Sequence, residues 1–171
     1  IRRVRGWDLA ASTRKTSPWT VGVLMGITQR GQVVVLDVER FRAGPHGLER
    51  RLKEVAKKDG YGVVQFLPQD PAAAGKVQKS NYAALLTGYE VRFSPETGDK
   101  EDRAVPFAAQ WEAGNVFLMR GAWNEAYVTE ICEFPRGDFL DQGDAASRAY
   151  SWFVTHADED EIGTTPGLLT E

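Results

Sequence analysis

Residues 19–28 (Trp-Thr-Val-Gly-Val-Leu-Met-Gly-Ile-Thr) and 33–41 (Val-Val-Val-Leu-Asp-Val-Glu-Arg-Phe) are two β-rich runs separated only by Gln29-Arg-Gly-Gln32. So short a glycine-containing connection closes an antiparallel pair, because a parallel neighbour needs a crossover of a dozen residues or more. A further β-rich run, 3–10, precedes them, so three strands open the chain. The period then changes. Leu48, Leu52, Val55 and Ala56 fall at i, i+4, i+7 and i+8, the stripe of an amphipathic helix over 46–59, and Gly60 and Gly62 stop it. A short buried strand follows at 63–67, then a helix over 71–87 opened by Pro71 and ended by Gly88, and a strand at 90–94. After a polar loop at 95–100, Ala104, Phe107, Ala108 and Trp111 mark another helix. The pattern closes with a short strand at 115–119 and helices at 123–133 and 141–154. The expected class is α/β: a mixed five-stranded sheet, three antiparallel strands then parallel ones, flanked by helices.

At 171 residues the chain holds one domain with a sizeable core. The expected bounds are 1–156, with an acidic, flexible tail over 157–171. The start, Ile1-Arg-Arg-Val-Arg, has neither a methionine nor an apolar signal region, and reads as a domain cut from a longer polypeptide. No apolar run approaches a membrane span. Cys132 is the only cysteine, which excludes an internal disulfide and a cysteine-based zinc site and suits a reducing cytoplasm. Net charge is −3, but five acids lie at the end of the chain (Asp158 to Glu161, and Glu171), and without them the remainder carries +2. Basic residues gather at Arg2, Arg3 and Arg5, and at Arg50, Arg51, Lys53, Lys57 and Lys58. The second group reads equally as a solvated helix face, so charge permits nucleic acid without indicating it.

Four acids could carry chemistry. Asp8 sits in the first strand with Val4 and Gly6 on its face, and aspartate is depleted in strand interiors. It is an edge or turn residue, or it meets a cation or a hydrogen-bond network. Asp70 ends the fourth strand ahead of Pro71, which fits a helix N-cap but also the strand ends where α/β sites form. Asp141 and Asp144 lie one turn apart at the start of the last helix, on a stripe that continues to Arg148. There they could simply complement the helix dipole, worth about 0.3–1 kcal/mol. The small residues beside them, Ala145 and Ala149, let that helix approach the sheet and bring the acids toward Asp8. Three converging carboxylates would repel without a cation, and hard oxygen ligands suit Mg²⁺ or Mn²⁺.

Several segments together resemble the C-terminal nuclease domain of phage and prophage large terminase subunits. They are Gly6-Trp-Asp-Leu-Ala-Ala-Ser12, Gln69-Asp-Pro-Ala-Ala-Ala-Gly-Lys76, Lys100-Glu-Asp-Arg-Ala-Val-Pro106 with Gln110-Trp-Glu-Ala-Gly-Asn-Val116, Phe134-Pro-Arg-Gly137 and Asp141-Gln-Gly-Asp-Ala145. The resemblance runs from about Arg5 to Trp152 and implies an RNase H-like fold. It implies a metal-dependent endonuclease that cuts double-stranded concatemeric viral DNA during packaging, in the host cell cytoplasm, by hydrolysis with water activated by two Mg²⁺ or Mn²⁺ ions. The implied metal ligands and catalytic residues are Asp8, Asp70 and Asp141, with Asp144 as an accessory ligand. Lys76, Lys100 and Arg103 stand where they could contact DNA phosphates, or form surface ion pairs instead. Implied partners beyond DNA are an N-terminal packaging ATPase domain, a small terminase subunit and a portal; no membrane is implied. The sequence departs from the family at Leu140, where the closing motif usually has an acid; Asp138 is two residues off register. His46 and His156 have no metal-pair spacing.

Other readings compete. A Holliday-junction resolvase or transposase of the same fold would share the acids. An actin-like kinase loop at Asp8 to Thr13 would need glycine where Ala10 stands, and a Walker A reading of Ala74-Gly-Lys76 lacks the upstream glycine and following Ser or Thr. A catalytically weak domain that binds DNA without cutting it is the non-enzyme alternative.

Overall fold

A computed structural model describes residues 1–96 and 98–157. In chain order the elements are β1 (Arg2–Asp8), β2 (Thr20–Ile27), β3 (Val33–Phe41), α1 (Pro45–Asp59), β4 (Val64–Gln69), α2 (Ala73–Leu85), β5 (Val91–Pro95), α3 (Lys100–Glu112), β6 (Val116–Leu118), α4 (Asn124–Glu133) and α5 (Asp141–Thr155). The strands form one sheet in the order β5-β4-β1-β2-β3-β6. The pairs β1–β2 and β2–β3 are antiparallel, as the short connections require, while β1–β4 and β4–β5 are parallel through helical crossovers. The expected five strands are joined at the edge by β6, which pairs in parallel with β3. The acidic tail expected from 157 lies, from 158 on, outside the described residues. No helix among the described residues is long and apolar enough to cross a membrane.

The sheet divides two cores, and the alternation of β1 assigns its side chains to them. Val4 packs with Ala145, Ala149, Trp152 and Phe153 of α5, Phe107 of α3 and Tyr127 of α4. Trp7 packs on the opposite face with Leu48, Leu52 and Val55 of α1 and Tyr82 and Leu86 at α2. Gly6 and Asp8 therefore share the α5 face with Val4.

Arg5 is fully buried on the α1 face. Its guanidinium donates to both carboxylate oxygens of Asp59 (2.6 and 2.7 Å), to Asp37 (2.8 Å) and to the Gly22 carbonyl (2.7 Å). Gln65 joins this group, accepting from the Trp7 indole and donating to Asp59. Arg5 is thus structural, and no part of a basic surface. The α1 basic group likewise forms ion pairs on the helix surface: Lys58 with Asp37 and Glu39, Arg51 with Glu39 and Glu54, Arg50 with Glu54.

One helix boundary moves. The helix expected over 71–87 spans Ala73–Leu85, with Ala72 at its N-cap. Asp70 is not the cap; its Oδ1 accepts from the Ala72 amide at 2.7 Å, making a turn before the helix. The turn folds tightly, for a Cβ at Gly75 would meet the Asp70 carbonyl oxygen at 1.9 Å.

Candidate functional site

The parallel neighbours β1 and β4 end at the same edge of the sheet, and α5 begins there. Gly6 controls how closely α5 lies on β1. A Cβ at that position would sit 2.4 Å from the Ala145 carbonyl oxygen and 2.5 Å from the Ala149 amide nitrogen. Glycine on the strand facing alanines on the helix removes the usual side-chain layer. The helix start, with Asp141 and Asp144, is drawn toward Asp8 at the end of the strand.

The acids then act on one another. Burial raises the Asp8 carboxyl pKa, and the negative charges of Asp144 and Asp141 raise it further, against the pull of Lys100 and Arg148; the result is about 7. Asp141 accepts from the Trp19 backbone amide at 2.8 Å, which fixes its direction. Asp144 is buried, with one carboxylate oxygen ion-paired to Lys100 and the other 3.8 Å from Arg103. That second oxygen has no hydrogen-bond partner. Burial opposes the Lys100 charge, but the hydrogen bond and charge of Asp144, with the charges of Asp8 and Asp141, hold its pKa above the ordinary value. Lys100 thus faces all three acids.

Asp70 stands apart. It is exposed at the turn after β4 and is not among the leading influences on Asp8. Lys76 is exposed in the first turn of α2. Lys100 and Arg103, expected on DNA phosphates or in ion pairs, both face Asp144. Leu140 is the N-cap residue of α5 and offers no side-chain cap. Asp138 lines a separate cavity with Arg40, Glu130 and Glu133. His46 is exposed, and His156 stacks on Trp152, 5.0 Å between centroids. Sequence reasoning assigned no role to Arg148, although it lay on the Asp141–Asp144 stripe. It donates to the Trp7 carbonyl (2.8 Å) and to Glu96 (2.8 Å), tying α5 to β1 and to the end of β5. The partnership of Asp141 with the Trp19 amide left no sequence signal, since any residue supplies that donor.

These residues fit a divalent cation in kind. The donors are hard carboxylate oxygens, one of them buried without a hydrogen-bond partner, and Asp8 gains from any added positive charge. Among the described residues, however, no three His, Cys, Asp or Glu side chains are gathered closely enough to hold an ion. The Lys100 ammonium supplies the positive charge in the arrangement described.

A family profile described as the terminase RNaseH-like domain matches residues 5–153. The chain belongs to that family. This terminase RNaseH-like domain has no match among curated proteins. Among solved structures it is similar to the large terminase nuclease from thermophilic phage G20c. The form with bound zinc gives a TM-score of 0.65 at 18% identity, over 87% of this chain and 80% of that one. The form with bound magnesium gives 0.64 at 14%, over the same shares. The yeast mitochondrial Holliday junction resolvase Ydc2 gives 0.60 at 10%, over 92% and 80%. At these identities the likeness is one of fold, and it establishes the RNase H-like architecture. Together with the family it gives this domain the RNase H-like fold.

Proposed function

We propose that the domain is a Mg²⁺- or Mn²⁺-dependent endonuclease that cuts double-stranded concatemeric viral DNA during genome packaging in the host cell cytoplasm. In the whole protein it would work beside a packaging ATPase domain, a small terminase subunit and a portal. The observation that carries this reading is Asp8: a half-buried strand-end carboxyl, its pKa raised to about 7, beside the buried Asp141 and Asp144. Such a concentration of like charge at the strand ends costs stability and supports a functional reading of the site. Family membership supports DNA as the substrate class, and the zinc and magnesium forms of the G20c nuclease support a divalent metal as cofactor.

The ligands in this reading are Asp8, Asp70 and Asp141, with Asp144 accessory. A pair of divalent ions would polarise a water for attack on the scissile phosphodiester and stabilise the leaving oxygen. The protein's own part is positioning. The Trp19 amide orients Asp141, Arg148 ties α5 to the strand that carries Asp8, and burial keeps bulk water from screening the charges. Asp70 would turn its carboxylate from the Ala72 amide toward the neighbouring strand end, and Lys100 would yield Asp144.

The test is plasmid nicking by the purified domain. Supercoiled DNA is expected to relax with Mn²⁺ and to stay intact with EDTA or with Asp8→Ala. Nicking that survives in a clean Asp8→Ala preparation overturns the site. Cutting confined to four-way junctions would make the domain a resolvase, and DNA binding without metal-dependent cutting would make it a silent binding domain.

A further inference from the structure

Arg40, at the end of β3, and Arg42, just past it, form a cationic group beside the carboxylates. The registers Asp8↔Val21 and Val21↔Arg40 place Arg40 level with Asp8, two strands away. At the usual strand spacing that is about 10 Å. The guanidinium carbon of Arg42 lies 3.7 Å from the centroid of the Trp19 ring and that of Arg40 lies 4.4 Å from it. Phe139 lies 5.6 Å from Arg42 and 5.8 Å from Arg40. Trp19 is the residue whose amide holds Asp141, so this aromatic plate is bonded directly to the acidic site.

Two guanidinium groups on one ring repel each other unless anions balance them. Arg40 has Glu130 at 3.4 Å. Among the described residues Arg42 has no carboxylate partner; its Nε donates to the Ser17 carbonyl at 2.9 Å, which fixes the planar group and leaves both Nη atoms as donors. Exposed Arg14 and Lys15 lie in the same β1–β2 loop. A planar guanidinium with two free donors, held by stacking, matches a phosphate bidentately.

We propose that Arg42, supported by Arg40 and Trp19, binds a backbone phosphate of duplex DNA a short distance along the strand from the one to be cut. This rests on the nuclease reading above and names a contact on the flank opposite Lys100. Glu130 already balances Arg40, which leaves Arg42 as the cation open to the phosphate.

The experiment measures affinity of the whole domain for a fluorescent duplex by anisotropy in EDTA across a salt series, with plasmid nicking run in parallel. Arg42→Gln is expected to weaken binding severalfold and to lower the slope of log K against log salt by about 0.9, one phosphate contact. Arg42→Lys keeps the charge and is expected to restore the slope. Lys57→Gln, on exposed α1 across the sheet, is expected to change neither. Inorganic phosphate is expected to compete only at concentrations far above the DNA. An unchanged slope in Arg42→Gln, an equal loss in Lys57→Gln, no binding by the wild type, or phosphate bound as tightly as duplex overturns the proposal. Failure of the nuclease reading shows separately, as wild-type protein that does not nick with Mn²⁺ or as nicking by Asp8→Ala.

Discussion

At Asp8 the folded chain prefers a protonated carboxyl up to about pH 7, against an ordinary value of 3.8. A raised acid pKa means that the folded state holds the proton more tightly than the unfolded one. In metal-free protein this group's contribution therefore declines as pH rises from the ordinary range to about 7, and stays low above it. Asp8→Asn is accordingly expected to abolish cutting while raising the melting temperature of the metal-free domain at pH 8. The gain should be about 2–4 °C for each kcal/mol recovered, and it should vanish below pH 4, where wild type is protonated too. A variant no more stable than wild type at pH 8 would show that the acids do not burden the fold. Asp8 was legible as a charge in a strand with no local reason to be there. Lys100 as the cation on Asp144 was not, because 44 residues separate them and either could pair with solvent.

At the level of elements, the site depends on one close contact between β1 and α5. Gly6→Ala would place a methyl against the α5 backbone, and backbone cannot rotate aside as a side chain can. Overpacking of this kind costs about 1–3 kcal/mol. The expected outcome is a lower melting temperature together with weaker Mn²⁺ binding by titration calorimetry, because Asp141 and Asp144 ride on the displaced helix. Unchanged metal binding at reduced stability would uncouple helix seating from the site. The alanines of α5 could be read in advance as small residues permitting approach; the matching need for glycine at position 6 came only with the folded contact. The turn at Asp70 could not. Aspartate before proline signals a helix start, yet the Asp70 side chain closes a turn on Ala72 and the helix begins later.

Across the whole molecule the sheet separates two groups of charge: Asp8, Asp141 and Asp144 lie on the α5 face, the buried ion pairs of Arg5 on the α1 face. Asp59→Ala leaves Arg5 buried with too few partners, and losses of about 3–5 kcal/mol are usual for such a break. Chemical denaturation should register it, with the Mn²⁺ affinity of the folded protein unchanged. Asp37 gives the acid limb. Burial pushes its pKa up, but hydrogen bonds and charge from Arg5 and Lys58 together hold it below the ordinary value. A lowered acid pKa contributes stability that is full above the ordinary range and lost as pH falls through the folded value. The destabilisation caused by Asp37→Asn should therefore be largest near neutral pH and shrink in acid; a difference that grows in acid would reverse the assignment.

The sequence by itself determined the succession of strands and helices along the chain and the antiparallel opening, because periodicity and short connections are local properties of the chain. It also determined which acids could matter and, through motif order, the family. Tertiary structure alone decided which charges meet: Arg5 with Asp59, Lys100 with Asp144, Asp141 with the Trp19 amide, Arg42 with Trp19. Such partnerships join residues far apart in the chain, and whether a charge is paired, buried or left open follows from packing.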